Sequence, residues 1–188
     1  FGHSIVAVGN IIYVGMGSTF NSLIEGGYPR EWYKYDTVAN QWTKLTDFAR
    51  EPVGINGLQG MACEHVSGKI YVGLGAGNQS GGSENYWYAY DIAANSWATM
   101  AVCPVTNYGN SYDGERYPFH GVIDDKIYVG GGTANKPPYP ILKTWLCYDT
   151  ATDSWTTIGN VPFDSLRGDC IALNGEIYCS TNKQLYVF

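Results

Sequence analysis

Basic residues are few: 11 Lys and Arg stand against 17 Asp and Glu in 188 residues, a formal net charge of −6. They are scattered along the chain, so neither a phosphate backbone nor an anionic membrane surface meets a basic patch. Nucleic acid is not expected as a partner. No apolar run approaches the roughly 18 residues of a membrane-spanning helix, and membrane insertion is not expected either. Phe1 opens the sequence with neither a charged n-region nor an apolar h-region, so any targeting segment is expected to be absent or already removed. Apolar residues at sustained helical spacing are also missing. Histidine is scarce, with only His3, His65 and His120, none in a ligand-spaced motif. No nucleophile motif, phosphate-binding loop or zinc spacing occurs, so no cofactor or metal is expected and catalysis is poorly supported.

What the chain does hold is glycine and tyrosine, 24 and 16 residues, in a repeated sentence. The copies read IYVGMG with WYKYDTVANQW, IYVGLG with WYAYDIAANSW, and IYVGGG with WLCYDTATDSW; a fourth opens at EIYCST and ends at QLYVF. Tyr13, Tyr71, Tyr128 and Tyr178 anchor them, some fifty to sixty residues apart. Such a period with short alternating runs and Gly-rich turns indicates a propeller or solenoid of four-stranded units. The copies fall at about 1–49, 58–103, 117–161 and 168–188, the last lacking its outer, tryptophan-bearing strand. The repeated residues have structural work. The glycines allow close backbone approach, Trp42, Trp97 and Trp155 can fill space between units, and Asp36, Asp91 and Asp149 can cap the turns they open.

Five cysteines make an odd count, and their placement says more than their number. CIAL-NG-EIYC is a hairpin with Asn174-Gly175 as a two-residue type I′ turn, which sets Cys170 opposite Cys179 at a close, non-hydrogen-bonded pair. That spacing accepts a disulfide, with two facing buried thiols as the alternative. Cys63 pairs across its hairpin with Val72 and reads as a small core side chain.

The Gly-rich end of the second strand, the Tyr-Asp pair, the Trp about six residues later and an Arg before the next inner strand resemble the Kelch family of β-propellers. The wording of the repeats also resembles Kelch proteins of bacterial cell surfaces. The resemblance implies an all-β, Kelch-type β-propeller with three complete four-stranded blades and a partial fourth. A ring needs at least about four blades, so the remaining blades are expected from chain segments outside these residues or from self-assembly.

In such a fold the short turns share one face, and the long connections share the other. Function on a rigid scaffold tends to sit in loops, so the long-loop face is the expected binding surface. Arg116 and Arg167 precede Tyr128 and Tyr178 by similar distances and read as equivalent residues near a channel mouth. They can clamp a carboxylate bidentately or brace the next blade, bracing being favoured. Tyr112, Tyr117 and Tyr139, with Asn78, Asp113 and His120, complete the candidate ligand-binding set. His3 and His120 are a remote candidate pair for a shared metal. The expected function is noncatalytic binding of a glycan or protein at the cell surface or outside the cell. The alternatives are an enzyme on the same scaffold, which the resemblance places among sugar-acid mutarotases or copper oxidases like galactose oxidase, and a cytosolic interaction adaptor.

Overall fold

In the computed structural model, which describes residues 2–18, 28–49, 57–76, 85–104, 115–134, 141–162, 169–181 and 184–188, each repeat is an antiparallel sheet. Blade one holds β1 (Ser4–Val8), β2 (Ile11–Gly15), β3 (Trp32–Asp36) and β4 (Gln41–Lys44), paired in chain order. Blade two repeats this with β5 (Ala62–Val66), β6 (Lys69–Gly73), β7 (Trp87–Asp91) and β8 (Ser96–Thr99). In blade three, a short ladder of β9 (Glu115–Arg116) with β12 (Thr133–Ala134) accompanies β10 (Phe119–Ile123), β11 (Lys126–Gly130), β13 (Thr144–Asp149) and β14 (Ser154–Asn160). Blade four has three strands, β15 (Asp169–Leu173), β16 (Glu176–Ser180) and β17 (Leu185–Val187). The first strands lie innermost and side by side, β1 on β5, β5 on β10 and β10 on β15, so the sheets are arranged as the four blades of a β-propeller.

The short turns form where the sequence can take positive φ. Ser67-Gly68 adopts φ of 47° and 80°, and Asn174-Gly175 of 54° and 81°, as two-residue hairpin turns require. Between third and fourth strands, Asp36 accepts the N–H groups of Val38 and Ala39, and Asp149 those of Ala151 and Thr152. Those backbone donors hold the Asp149 carboxyl below its ordinary pKa. The last turn residue, Asn40, Asn95 or Asp153, is left-handed in every complete blade. Its side-chain oxygen accepts the hydroxyl of Tyr35, Tyr90 or Tyr148 at 2.6, 2.7 and 2.7 Å. Burial pushes the Tyr90 phenol up to about 12, so it remains a donor.

Alternation along the strands gives each blade two apolar faces. Trp32, Trp87 and Trp145 stand in their third strands opposite Gly15, Gly73 and Gly130, where a Cβ would strike the indole ring. Glycine therefore seats a tryptophan of its own blade there, rather than admitting the neighbouring blade. Trp32 then meets Trp97 edge-on at 5.5 Å and Trp87 meets Trp155 at 5.3 Å across the next interface. Trp97 and Trp155 thus fill the space between blades as expected. Trp42 does not: the matching face of blade one carries no blade among the described residues, and Trp42 is 60% exposed.

Six residues after each of these outer tryptophans, Phe48, Cys103 and Val161 turn inward and are buried. Their N–H groups donate to the carbonyls of Arg30, Asn85 and Lys143, two residues before the buried tryptophan of their own blade. Phe48 lies between Tyr88 and Trp97 of blade two, at 4.9 and 5.0 Å. Phe48→Ala is therefore expected to destabilise the chain by about 3 kcal/mol. Urea unfolding checks this, and a loss within error of zero would contradict it.

Cys170 pairs with Cys179 in register and the two form a disulfide, while Cys63, Cys103 and Cys147 are buried free thiols. A ring this short stabilises the hairpin by about 2.5 kcal/mol in the chain-entropy account. Burial pushes the Cys63 and Cys147 thiols up, away from the reactive thiolate. Native protein should therefore resist alkylation, unfolded protein should take up label at the three free thiols, and unfolded, reduced protein at all five cysteines. Mass spectrometry reads the increments; five labels without reductant would remove the disulfide from the fold.

Candidate functional site

The antiparallel order sends every connection from second to third strand, and every connection between blades, to one face. The innermost strands begin on that face, and the residues two before β1, β5 and β10 bond blade to blade. Gly60 donates its N–H to the Gly2 carbonyl at 3.1 Å, and Tyr117 to the Gly60 carbonyl at 2.8 Å. Tyr117 has a φ of 55° and its ring lies over Gly60, where a Cβ would collide with it. Gln59 Nε2 donates to the Tyr117 hydroxyl at 3.1 Å, tying blade two to blade three.

The histidines are similarly engaged. His120 Nδ1 lies 2.8 Å from Glu64 Oε1, both side chains more than two-thirds buried between β10 and β5. His3 Nδ1 contacts the Met16 carbonyl at 2.7 Å, and His65 Nε2 accepts the Gly68 N–H. Burial lowers the pKa of His65. His3 and His120 thus bond to different partners. Among the described residues, no group of three or more His, Cys, Asp and Glu could hold a metal ion.

The structure places the other candidates unevenly. Arg116 pairs with Thr133 in the β9–β12 ladder. Gly121 and Ile171 face Tyr128 and Tyr178, so Arg116 lies five residues before its reference and Arg167 four before its own. Arg167, Asn78, Tyr112, Asp113 and Tyr139 lie outside the described residues. Sequence reasoning did not find Glu64 or Gln59, because each bonds to a residue one full repeat away.

The outer edge of each interface carries a second set of bonds. Thr46 of blade one donates its N–H to Asn95 Oδ1 at 3.0 Å and accepts the Trp97 indole N–H at 3.1 Å. Ala101 of blade two repeats both bonds with Asp153 and Trp155, at 2.8 and 2.9 Å.

Comparison with known proteins fits this architecture. Residues 117–162, which are blade three, match the Kelch motif. N-acetylneuraminate epimerase of Yersinia enterocolitica is 27% identical over 210 residues, covering 90% of this chain and 50% of that protein. N-(sulfonatooxy)prop-2-enimidothioate sulfolyase of Thlaspi arvense is 26% identical, covering 100% and 53%. Kelch-like protein 36 of Rattus norvegicus is 26% identical, covering 94% and 26%. The solved structure titled as that of YjhT superposes with a TM-score of 0.75 at 20% identity, over 95% of this chain and 57% of that one, and so has the same fold. The chain thus spans about half the length of the first two relatives and a quarter of the third.

Four antiparallel blades, three of them with a glycine-seated tryptophan, define the class as a β-propeller. Blade three carries the Kelch motif, and the chain is similar over most of its length to Kelch-like protein 36.

The His120–Glu64 contact makes a prediction. If the pair braces blades two and three, His120→Asn and Glu64→Gln should each cost about 1 kcal/mol in urea unfolding, and the double variant little more than either alone. Fully additive losses would show that the pair carries no coupling.

Proposed function

We propose that the chain is a noncatalytic binding module that takes a glycan or protein ligand on its long-loop face, outside the cytoplasm. The observation that carries this reading is the engagement of His3, His65 and His120 in bonds within the fold. An acid–base or copper-ligating role would compete with those bonds. The long-loop face remains the surface where ligand-facing residues vary without disturbing the blades, and Arg116 and Arg167 are the cations proposed to meet an acidic group there. The Cys170–Cys179 disulfide supports an oxidising compartment and weighs against the cytosolic adaptor reading.

One finding favours a second reading, a sugar-acid mutarotase: the similarity to N-acetylneuraminate epimerase runs through 90% of the chain. A single experiment separates the two. N-acetylneuraminate is added to the purified protein, and both its line broadening and the exchange between its anomers are followed by NMR. Binding without faster exchange, lost in Arg116→Ala, is expected. Accelerated exchange that disappears with Arg116→Ala or Arg167→Ala would replace the binding reading with the enzymatic one. No response to the sugar, together with capture of an acidic peptide, would assign the face to a protein ligand.

A further inference from the structure

Glu64 and His120 meet across the interface of blades two and three, and the other interfaces hold no such pair at the same places. Val6, Glu64, Gly121 and Ile171 each face the anchor tyrosine of their own hairpin, and Ile5, Cys63, His120 and Cys170 precede them by one residue. The places of Glu64 and His120 are therefore taken by Val6 with Cys63 between blades one and two, and by Gly121 with Cys170 between blades three and four. Packing the innermost strands side by side needs no ionisable pair, and withdrawing one from water costs free energy that an apolar pair does not. Its presence at one interface alone points beyond packing.

The contact also fixes which nitrogen of His120 is open. An ionised carboxylate only accepts, so the proton shared with Glu64 Oε1 at 2.8 Å sits on Nδ1. A neutral imidazole bonded this way keeps its lone pair on Nε2, and Nε2 has no partner among the described residues. His120 is the second residue of β10, close to the long-loop end, and its side chain is 30% exposed. Gln59, at the same end of the same interface, offers a second acceptor. It is 8% exposed, its Nε2 donates to the Tyr117 hydroxyl, and its Oε1 has no partner among the described residues. A polar group so deeply buried ordinarily meets a donor.

We infer that Glu64 is a positioning residue that holds His120 as the Nδ1–H tautomer, and that His120 Nε2 and Gln59 Oε1 accept hydrogen bonds from the hydroxyls of a sugar bound at the mouth of this interface. The inference rests on the loop-face reading above and narrows its ligand from glycan or protein to glycan. Two acceptors and the Glu64 carboxylate repel an acidic group and attract hydroxyls. They therefore take the polyhydroxyl end of the ligand, while the arginines are the groups proposed to meet its acidic end. The side chains of an acidic peptide present carboxylates, which these acceptors reject. The Nδ1 bond to Glu64 is kept throughout and no proton changes hands, so the role is one of binding.

Long-range proton–nitrogen NMR of the purified chain, labelled with nitrogen-15 in histidine and held above neutral pH, tests both halves. The native chain is expected to show His120 with a protonated Nδ1 and an unprotonated Nε2. Glu64→Ala should lose that preference, and Glu64→Gln, whose amide oxygen also accepts, should keep it; a role in packing alone would move neither. A protonated Nε2 in the native chain, or a tautomer unchanged by Glu64→Ala, would overturn the inference. N-acetylneuraminate is then added. The Nε2 resonance is expected to move towards its protonated value. The double variant Glu64→Val with His120→Cys, which copies the pair between blades one and two, should bind the sugar about fivefold more weakly or worse, the loss of one well-made hydrogen bond. Broadened sugar signals with an unmoved Nε2, or full affinity in the double variant, would overturn this inference and leave the loop-face reading standing. Binding of a glutamate-rich peptide with no response to the sugar would overturn it in favour of a protein ligand, and silence towards both would remove the loop-face reading with it.

Discussion

The contact between a buried tryptophan of one blade and an outer tryptophan of the next is what the rest of the structure depends on. Trp32 under Trp97 and Trp87 under Trp155 are edge-to-face pairs at 5.5 and 5.3 Å, a geometry that matches the positive rim of one ring to the negative face of the other. Each requires a glycine opposite the buried ring, which explains the IYVG shared by the three complete blades. Each also requires the outer ring to be held. The indole N–H is fixed by a carbonyl of the preceding blade, and that same residue's N–H is fixed by the turn Asn or Asp that the buried tyrosine orients. Turn chemistry within a blade therefore sets the geometry between blades.

Much of this was legible in the sequence because much of it is local. Alternation, the two-residue turns and the Asp caps depend on neighbours a few residues apart, and so does the Cys170–Cys179 pairing, fixed by counting outward from Asn174-Gly175. The roles of the tryptophans were only half legible. Trp97 and Trp155 lie between blades as the pattern suggests, but Trp32, Trp87 and Trp145, which the sequence reading did not single out, are the more deeply buried set. Phe48, Cys103 and Val161 were not legible at all as a set, because the position demands only an apolar side chain and so leaves no shared letter to align.

The candidate site was less legible than the fold, for a physical reason. Its residues meet across blades, about a repeat apart in sequence, and nothing in the local pattern pairs Glu64 with His120 or Gln59 with Tyr117. Residues that read as ligand-facing, His120 and Tyr117 among them, are engaged in joining blades. Arg116 and Arg167 read as similarly placed by their distance from the anchor tyrosines, and of the two only Arg116 lies among the described residues.

The most direct test of this account is the exchange of the indole protons in heavy water. Where the outer clasp is closed, at Trp97 and Trp155, the N–H is tied to a carbonyl of the preceding blade; at Trp42 it is not. The account predicts that in the purified chain the Trp97 and Trp155 indole protons exchange slowly and the Trp42 proton exchanges at nearly the rate of free indole. Equal protection of all three would contradict it, since blade one would then be covered as completely as the blades that follow.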